Sequence, residues 1–261
     1  MSASFPPEVC DLVVGHLHND VKTLKSCCLV SKSWVPRSRT HLFACVEFNF
    51  NSKRSIEVWR KLFPNPSESP ARHARILKIA NSSVLKTAVT SALPWIHPFR
   101  HLVELRLSDF ILVSKPISVV QLLGLSPALK SLSLCGIYSP LLEVFNFICS
   151  FHLLENLELR HNKLEGNIDE WDPPSASPKL TGSLTLDGSC TPIMRGLLCL
   201  PGGLHFSKVT VLHPIDGAES MVELASKCSN TLESLCIQHS SSSTFPQVPV
   251  ADQHSIFVRV I

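Results

Sequence analysis

Leu153-Leu154-Glu155-Asn156-Leu157-Glu158-Leu159-Arg160-His161-Asn162-Lys163-Leu164 is the stretch that decides the fold. From Leu154 it reads L-x-x-L-x-L-x-x-N-x-L. Alone it predicts one short strand, with Leu157 and Leu159 on one face and Glu158 and Arg160 on the other. The phrase carries more weight because it recurs. Its inward pair returns as Leu77/Ile79, Leu105/Leu107, Leu132/Leu134, Leu184/Leu186, Val209/Val211 and Leu235/Ile237, at intervals of 25 to 28 residues. Ala74, Leu102, Leu129, Leu154, Thr181, Phe206 and Leu232 stand three residues ahead of the pairs, and only Thr181 is polar. Only this rung has Asn at the ladder position, Asn162. Phe110, Ile137, Ser189, Pro214 and Ser240 occupy it elsewhere, which predicts an irregular array.

The segments between the strands carry helical faces. Val84, Leu85, Ala88, Val89, Ala92 and Leu93 do so in 83–97, and Ile117, Val120 and Leu123 in 117–125. The same holds for 139–151, 191–200 and 219–228. Ser139-Pro140 and Thr191-Pro192 read as N-cap followed by first helical residue. Strand then helix at this period predicts an α/β fold with parallel strands inside and helices outside, as in leucine-rich repeats. Residues 165–178, EGNIDEWDPPSASP, lack an apolar helical face and predict an irregular loop in place of one helix.

Outward from the array, residues 1–45 form a separate block. Phe5-Pro6-Pro7-Glu8 suits a helix start. Val9, Leu12, Val13 and Leu17 fall on one helical face, with Val14 beside it. A second helix begins near Asp20 and carries Leu24, Cys27 and Cys28. A third follows Ser31 and carries Trp34, Arg37 and His41. Three short helices bury little surface alone and need something to lean on.

The residues Phe5-Pro6-Pro7-Glu8-Val9, Val13-Val14, Leu17, Leu24 and Leu29-Val30-Ser31-Lys32-Ser33-Trp34 resemble the F-box motif: L-P-x-E, I-L-x-x-L, an L, and L-V-x-[KR]-x-W. The phrase LVSKSWVPRSRTHLF is similar to the F-box families of mushroom-forming fungi. Phe5 departs from the usual Leu by a conservative swap. The resemblance covers about one sixth of the chain. It implies a substrate-receptor subunit of a cullin–RING (SCF-type) ubiquitin ligase. Such a subunit has no catalytic residue. Its F-box binds a Skp-type adaptor and through it a cullin, while the repeats bind a target protein. Adaptor binding would fall to Phe5, Pro6, Val13, Val14, Leu17, Leu24, Leu29, Val30 and Trp34, some of which must instead form the helical core.

The expected organisation is a helical block over 1–45, a connecting strand, helix and Pro/Ser loop over 46–73, repeats over 74–239, and a tail over 240–261. The tail opens with Ser240 to Ser243 and ends on Ile256-Phe257-Val258-Arg259-Val260-Ile261, a last strand that is either truncated or folded back as a cap. Composition excludes several classes. At 44% hydrophobic and 17% charged the chain is too apolar for disorder. A formal charge of +3 gives no support to a nucleic-acid partner. No apolar run reaches transmembrane length, and Pro and Glu interrupt the N-terminus too early for a secretory signal. The ten cysteines, with no C-x-x-C, are then buried thiols in a cytoplasmic or nuclear protein rather than metal or disulfide ligands.

No enzyme constellation is present: H-E-x-x-H, G-x-S-x-G and G-x-x-x-x-G-K are all missing. No cofactor and no metal site is expected, because the dispersed histidines have no ligand spacing. Asn81-Ser82-Ser83 is a sequon that an intracellular chain would not use. The candidate target-binding surface is the outward side of the strands, with Arg106, Glu158, Arg160 and Asp187 as its polar features. Two further readings share this scaffold. One is a binding scaffold outside any ligase. The other is a small-molecule sensor with the strand surface closed by 165–178.

Overall fold

The computed structural model describes residues 6–49, 56–80, 99–109, 128–168, 171–174, 178–188, 191–212, 214, 218–238 and 255–258. The expected helices in 83–97 and 117–125, the sequon and Phe5 lie outside them.

The chain is α/β. Three helices open it: α1 (Pro7–His16), α2 (Val21–Val30) and α3 (Val35–Leu42). Strand β1 (Cys45–Asn49), helix α4 (Ile56–Leu62) and the 3-10 turns Pro66–Glu68 and Pro70–His73 follow. Then come β2 (Ile76–Ala80), β3 (Glu104–Ser108), β4 (Ser131–Cys135), β5 (Tyr138–Pro140) and α5 (Leu141–Cys149). The rest is β6 (Asn156–Arg160), β7 (Lys163–Glu165), β8 (Ser183–Asp187), α6 (Thr191–Leu198), β9 (Lys208–Leu212), α7 (Ala218–Lys227), β10 (Ser234–Gln238) and β11 (Ser255–Val258).

One nine-stranded sheet runs β1-β2-β3-β4-β6-β8-β9-β10-β11. All its neighbours are parallel except β10 and β11. The register aligns the repeated apolar pairs. Val46, Leu77, Leu105, Leu132, Leu157, Leu184, Val209 and Leu235 form one cross-sheet row, and the residues two positions on form a second. A shift of one residue would turn every one of these side chains to the other face, so burial holds the register. Strand β11 pairs antiparallel with β10, Leu235 opposite Val258, as the folded-back reading of the tail expects.

Most strands of the large sheet are entered in the same way. The carbonyls of Ala44, Arg75, Val103, Lys130 and Ser207 each accept from two successive N–H groups of the next rung, for example Glu155 and Asn156 on Lys130 O at 2.8 Å each. Four of the strands are also left in the same way. The residue after β3, β4, β6 and β8 is Asp109, Gly136, His161 or Gly188, all with positive φ of 51° to 82°. Glycine takes this left-handed region freely, and Asp and His are among the few other residues that tolerate it.

The apolar rows pack on the helices. Leu141, Val144, Phe145 and Ile148 of α5, Ile193, Met194 and Leu197 of α6, and Leu224 of α7 are buried in one continuous core with them. Gly196 of α6 sits directly on the Phe145 ring, close enough that a Cβ there would collide with it. Val46, Phe48 and Ala71 belong to the same core, with Trp59 packed against it. Trp59 of α4 packs on Phe63 at 4.8 Å, on Phe48 at 5.6 Å and on Phe99 at 6.0 Å. The helical block has its own small core, Val14, Leu24 and Cys27.

Four local expectations are corrected. Thr181 is exposed, and its neighbour Leu180 takes the buried place, bridged to Leu204. Pro140 is the N-cap of α5 rather than its first residue, because Tyr138–Pro140 is drawn into a second ladder with Lys163–Glu165. In the last rung Cys236 is buried while Leu235 and Ile237 are only half-buried. Residues 165–178 begin on Glu165, the last residue of β7, are irregular where described after it, and pack on the helix side: Ile168 is buried, Trp171 lies 4.9 Å from Phe145, and its Nε1–H donates to Asn146 Oδ1 at 3.2 Å. Trp171 thus packs against α5 on the helix side of the sheet. The described residues of 165–178 do not close over the strand surface.

Candidate functional site

Two surfaces bear on function: the outer face of the three helices and the side of the sheet opposite the helices. In the helical block, Asp20 caps α2. Its Oδ1 accepts from Thr23 N at 3.0 Å and its Oδ2 from Thr23 Oγ1 at 2.6 Å. Those bonds hold the Asp20 carboxyl below its usual range.

In α1, Val9, Leu12 and Val13 are exposed, Leu12 by 66%, and Val14 is the buried anchor at 1%. A ten-residue helix packed by few contacts turns only a narrow stripe inward, and Val14 occupies it. The structure therefore divides eight of the nine residues expected to bind an adaptor, Phe5 lying outside the described residues. Val14 and Leu24 are core residues, so they are removed from the candidate surface. Leu17 and Trp34 are half-buried. Pro6, Val13, Leu29 and Val30 are exposed, with Leu29 at 89% and Val30 at 71%. Val21 is exposed as well, a residue that the motif did not single out. An isolated exposed Leu is ordinary, whereas several exposed apolar residues on one short helical block are not.

On the sheet, the four expected residues do not share one fate. Arg106 is exposed and pairs with Glu104 on its own strand. The Arg160 and Glu158 side chains meet at 2.6 Å, two residues apart along β6. Asp187 is buried, with only 5% of its side chain accessible, and its carboxylate contacts Nδ1 of His161 at 3.1 Å. Asp187 is corrected from a surface feature to a buried partner of the turn residue His161. It sits at the end of β8, beside the turn that leaves β6. Cys135 lies in the same neighbourhood. Burial pushes its thiol up, and the carboxylates of Asp109, Glu158 and Asp187 add to this while Arg160 opposes. The thiol is protonated and no nucleophile.

The ladder residue Asn162 has a defined job. Its Oδ1 accepts from Ile137 N at 2.8 Å and its Nδ2 donates to Leu134 O at 3.2 Å, tying its rung to the preceding one. Asn156 does similar work toward the next rung, accepting from Ser183 N at 2.8 Å.

Among the described residues no group of three or more His, Cys, Asp and Glu is placed to hold a metal ion. Cys27, Cys149, Cys228 and Cys236 are buried free thiols, while Cys45 and Cys199 are exposed. Among the described residues no helix is long and apolar enough to cross a membrane. A scan against protein-family models gives no match, and a search of curated proteins gives none. Sequence reasoning missed the left-handed turn after β3, β4, β6 and β8. Its signal was present: Asn81, Asp109, Gly136, His161, Gly188, His213 and His239 follow the seven rungs. Three of the histidines dispersed along the chain stand at these positions.

Proposed function

We propose that this chain is an F-box protein with leucine-rich repeats, acting as the substrate receptor of a cullin–RING ubiquitin ligase. The observation that carries the reading is the apolar outer face of the helical block. Leu29 and Val30, which complete the motif-like phrase ending in Trp34, are among the most exposed large apolar residues described. The parallel sheet, strand following strand in chain order, supports a repeat arc whose open face holds the target. Catalysis in such an assembly belongs to other subunits. The receptor contributes effective concentration, holding target lysines near the activated conjugating enzyme.

The test replaces Leu29 and Val30 together by Asp and measures adaptor and cullin recovery from cells. Exposed side chains outside the core change stability by roughly 0.5 kcal/mol or less, so the melting temperature should hold. Loss of a central apolar contact costs a partner about 2 kcal/mol or more, roughly 30-fold in affinity, so adaptor recovery should collapse. Undiminished recovery of the adaptor refutes the docking face. Recovery of adaptor without cullin from the unaltered chain favours a scaffold outside the ligase.

A further inference from the structure

A cleft of about 350 Å³ lies where α3 meets the 3-10 turn Pro70–His73. Three arginines line it: Arg37 and Arg39 from α3 and Arg72 from the turn. All three are exposed, and among the described residues none forms an ion pair with a carboxylate. Arg72 spends one N–H on a neighbour, Nε donating to Nε2 of His73 at 3.3 Å, which leaves the rest of its fork open. Two acids also line the cleft. Glu68 is engaged on its own turn, accepting from Asn65 Nδ2 at 2.9 Å, and Asp11 comes from α1.

The second observation is Ser69. It lines the same cleft, it is 2% exposed, and its hydroxyl has no hydrogen-bond partner. A buried hydroxyl without a partner is costly and uncommon. Placed among unpaired guanidinium groups, it is the donor that an oxyanion would take up.

We propose that this cleft binds the phosphoryl group of a small phosphate ester or diphosphate, with Arg39 and Arg72 as forked donors and Ser69 as the buried hydroxyl donor. Guanidinium forks match phosphate oxygens in pairs, and ligand pockets begin near this volume. His73, beside the site, is held below its usual range by burial and then by Arg72 and Arg39, the field that would attract an anion. The site is independent of what the outer face of α1 and α2 binds.

The experiment titrates the full chain with pyrophosphate and with inorganic phosphate, against sodium chloride at matched ionic strength, by calorimetry and thermal melting. Saturable binding of either anion, with a raised melting temperature absent in chloride, is expected. Pyrophosphate binding tighter than inorganic phosphate assigns a diphosphate, and the reverse a single phosphoryl group. The Arg39→Gln/Arg72→Gln double variant and Ser69→Ala should each lose about tenfold or more in affinity, while Lys227→Gln on the distant α7 should bind as the unaltered chain does. If the double variant fails to fold, Arg39→Lys/Arg72→Lys keeps the charge, and partial loss is then expected. No saturable binding up to about 10 mM, or binding unchanged in the folded arginine variant, overturns the proposal.

Discussion

Replacing Asn162 by Ala removes two bonds between rungs and leaves a backbone group stranded. Ile137 N–H donates to Asn162 Oδ1 at 2.8 Å, and Ile137 is itself 1% exposed, so water cannot readily replace the lost acceptor. Each hydrogen bond is worth about 1 kcal/mol net, and a stranded buried donor costs about 1–3 kcal/mol. The carbonyl of Leu134, which loses the donor at 3.2 Å, adds little because the second lone pair of an acceptor is commonly unfilled. The expected loss is therefore about 2–3 kcal/mol. Urea denaturation is the direct assay. At a slope of about 3 kcal/mol per molar, the midpoint should fall by roughly 1 M with the slope unchanged. Thermal melting should fall by about 5–10 °C. Lys163→Ala, at the exposed neighbouring position, serves as the control and should change stability by about 0.5 kcal/mol at most. If Asn162→Ala and Lys163→Ala prove indistinguishable, the bridge contributes nothing and the account of the ladder residue is wrong.

Two further expectations concern the core and pH. Gly196→Ala drives a methyl into the Phe145 ring, and because both residues are buried, overpacking should cost about 1–3 kcal/mol, read as a lower urea midpoint. His41 is held low by burial, then by Arg37 and His18, and its Nε2 is buried without a partner; His73 is held low by burial, then by Arg72 and Arg39. Both therefore take up protons more readily when the chain unfolds, so stability should decline as pH falls below about 6.5 toward their folded values. His41→Asn and His73→Asn should each flatten that decline in melting temperature between about pH 6.5 and pH 5. An unchanged slope in both variants would contradict the assignment.

The periodic residues were readable from the chain because the strand rule is local. Alternation at a fixed interval places Leu77, Leu105, Leu132, Leu157 and Leu184 on one face before any partner strand is known. The same locality explains the turn residues Asp109, Gly136, His161 and Gly188, since left-handed backbone restricts residue type at single positions. What failed to be legible was whatever depended on which neighbour arrived. The apolar residues of α1 have one pattern but two possible sides, and only the packing of three helices turned Val14 inward and Leu12 outward.

By itself the sequence determined the α/β class and the strand positions, because apolar spacing acts within a few residues. Only the tertiary structure decided which motif residues remain free to meet a partner. It also decided that Asp187 is a buried partner of His161, that Trp171 and Trp59 seal the helix-side core, and that Arg39, Arg72 and Ser69 converge on one cleft. Each of these depends on segments distant in sequence brought together in space, and their apposition comes from packing rather than from any local pattern.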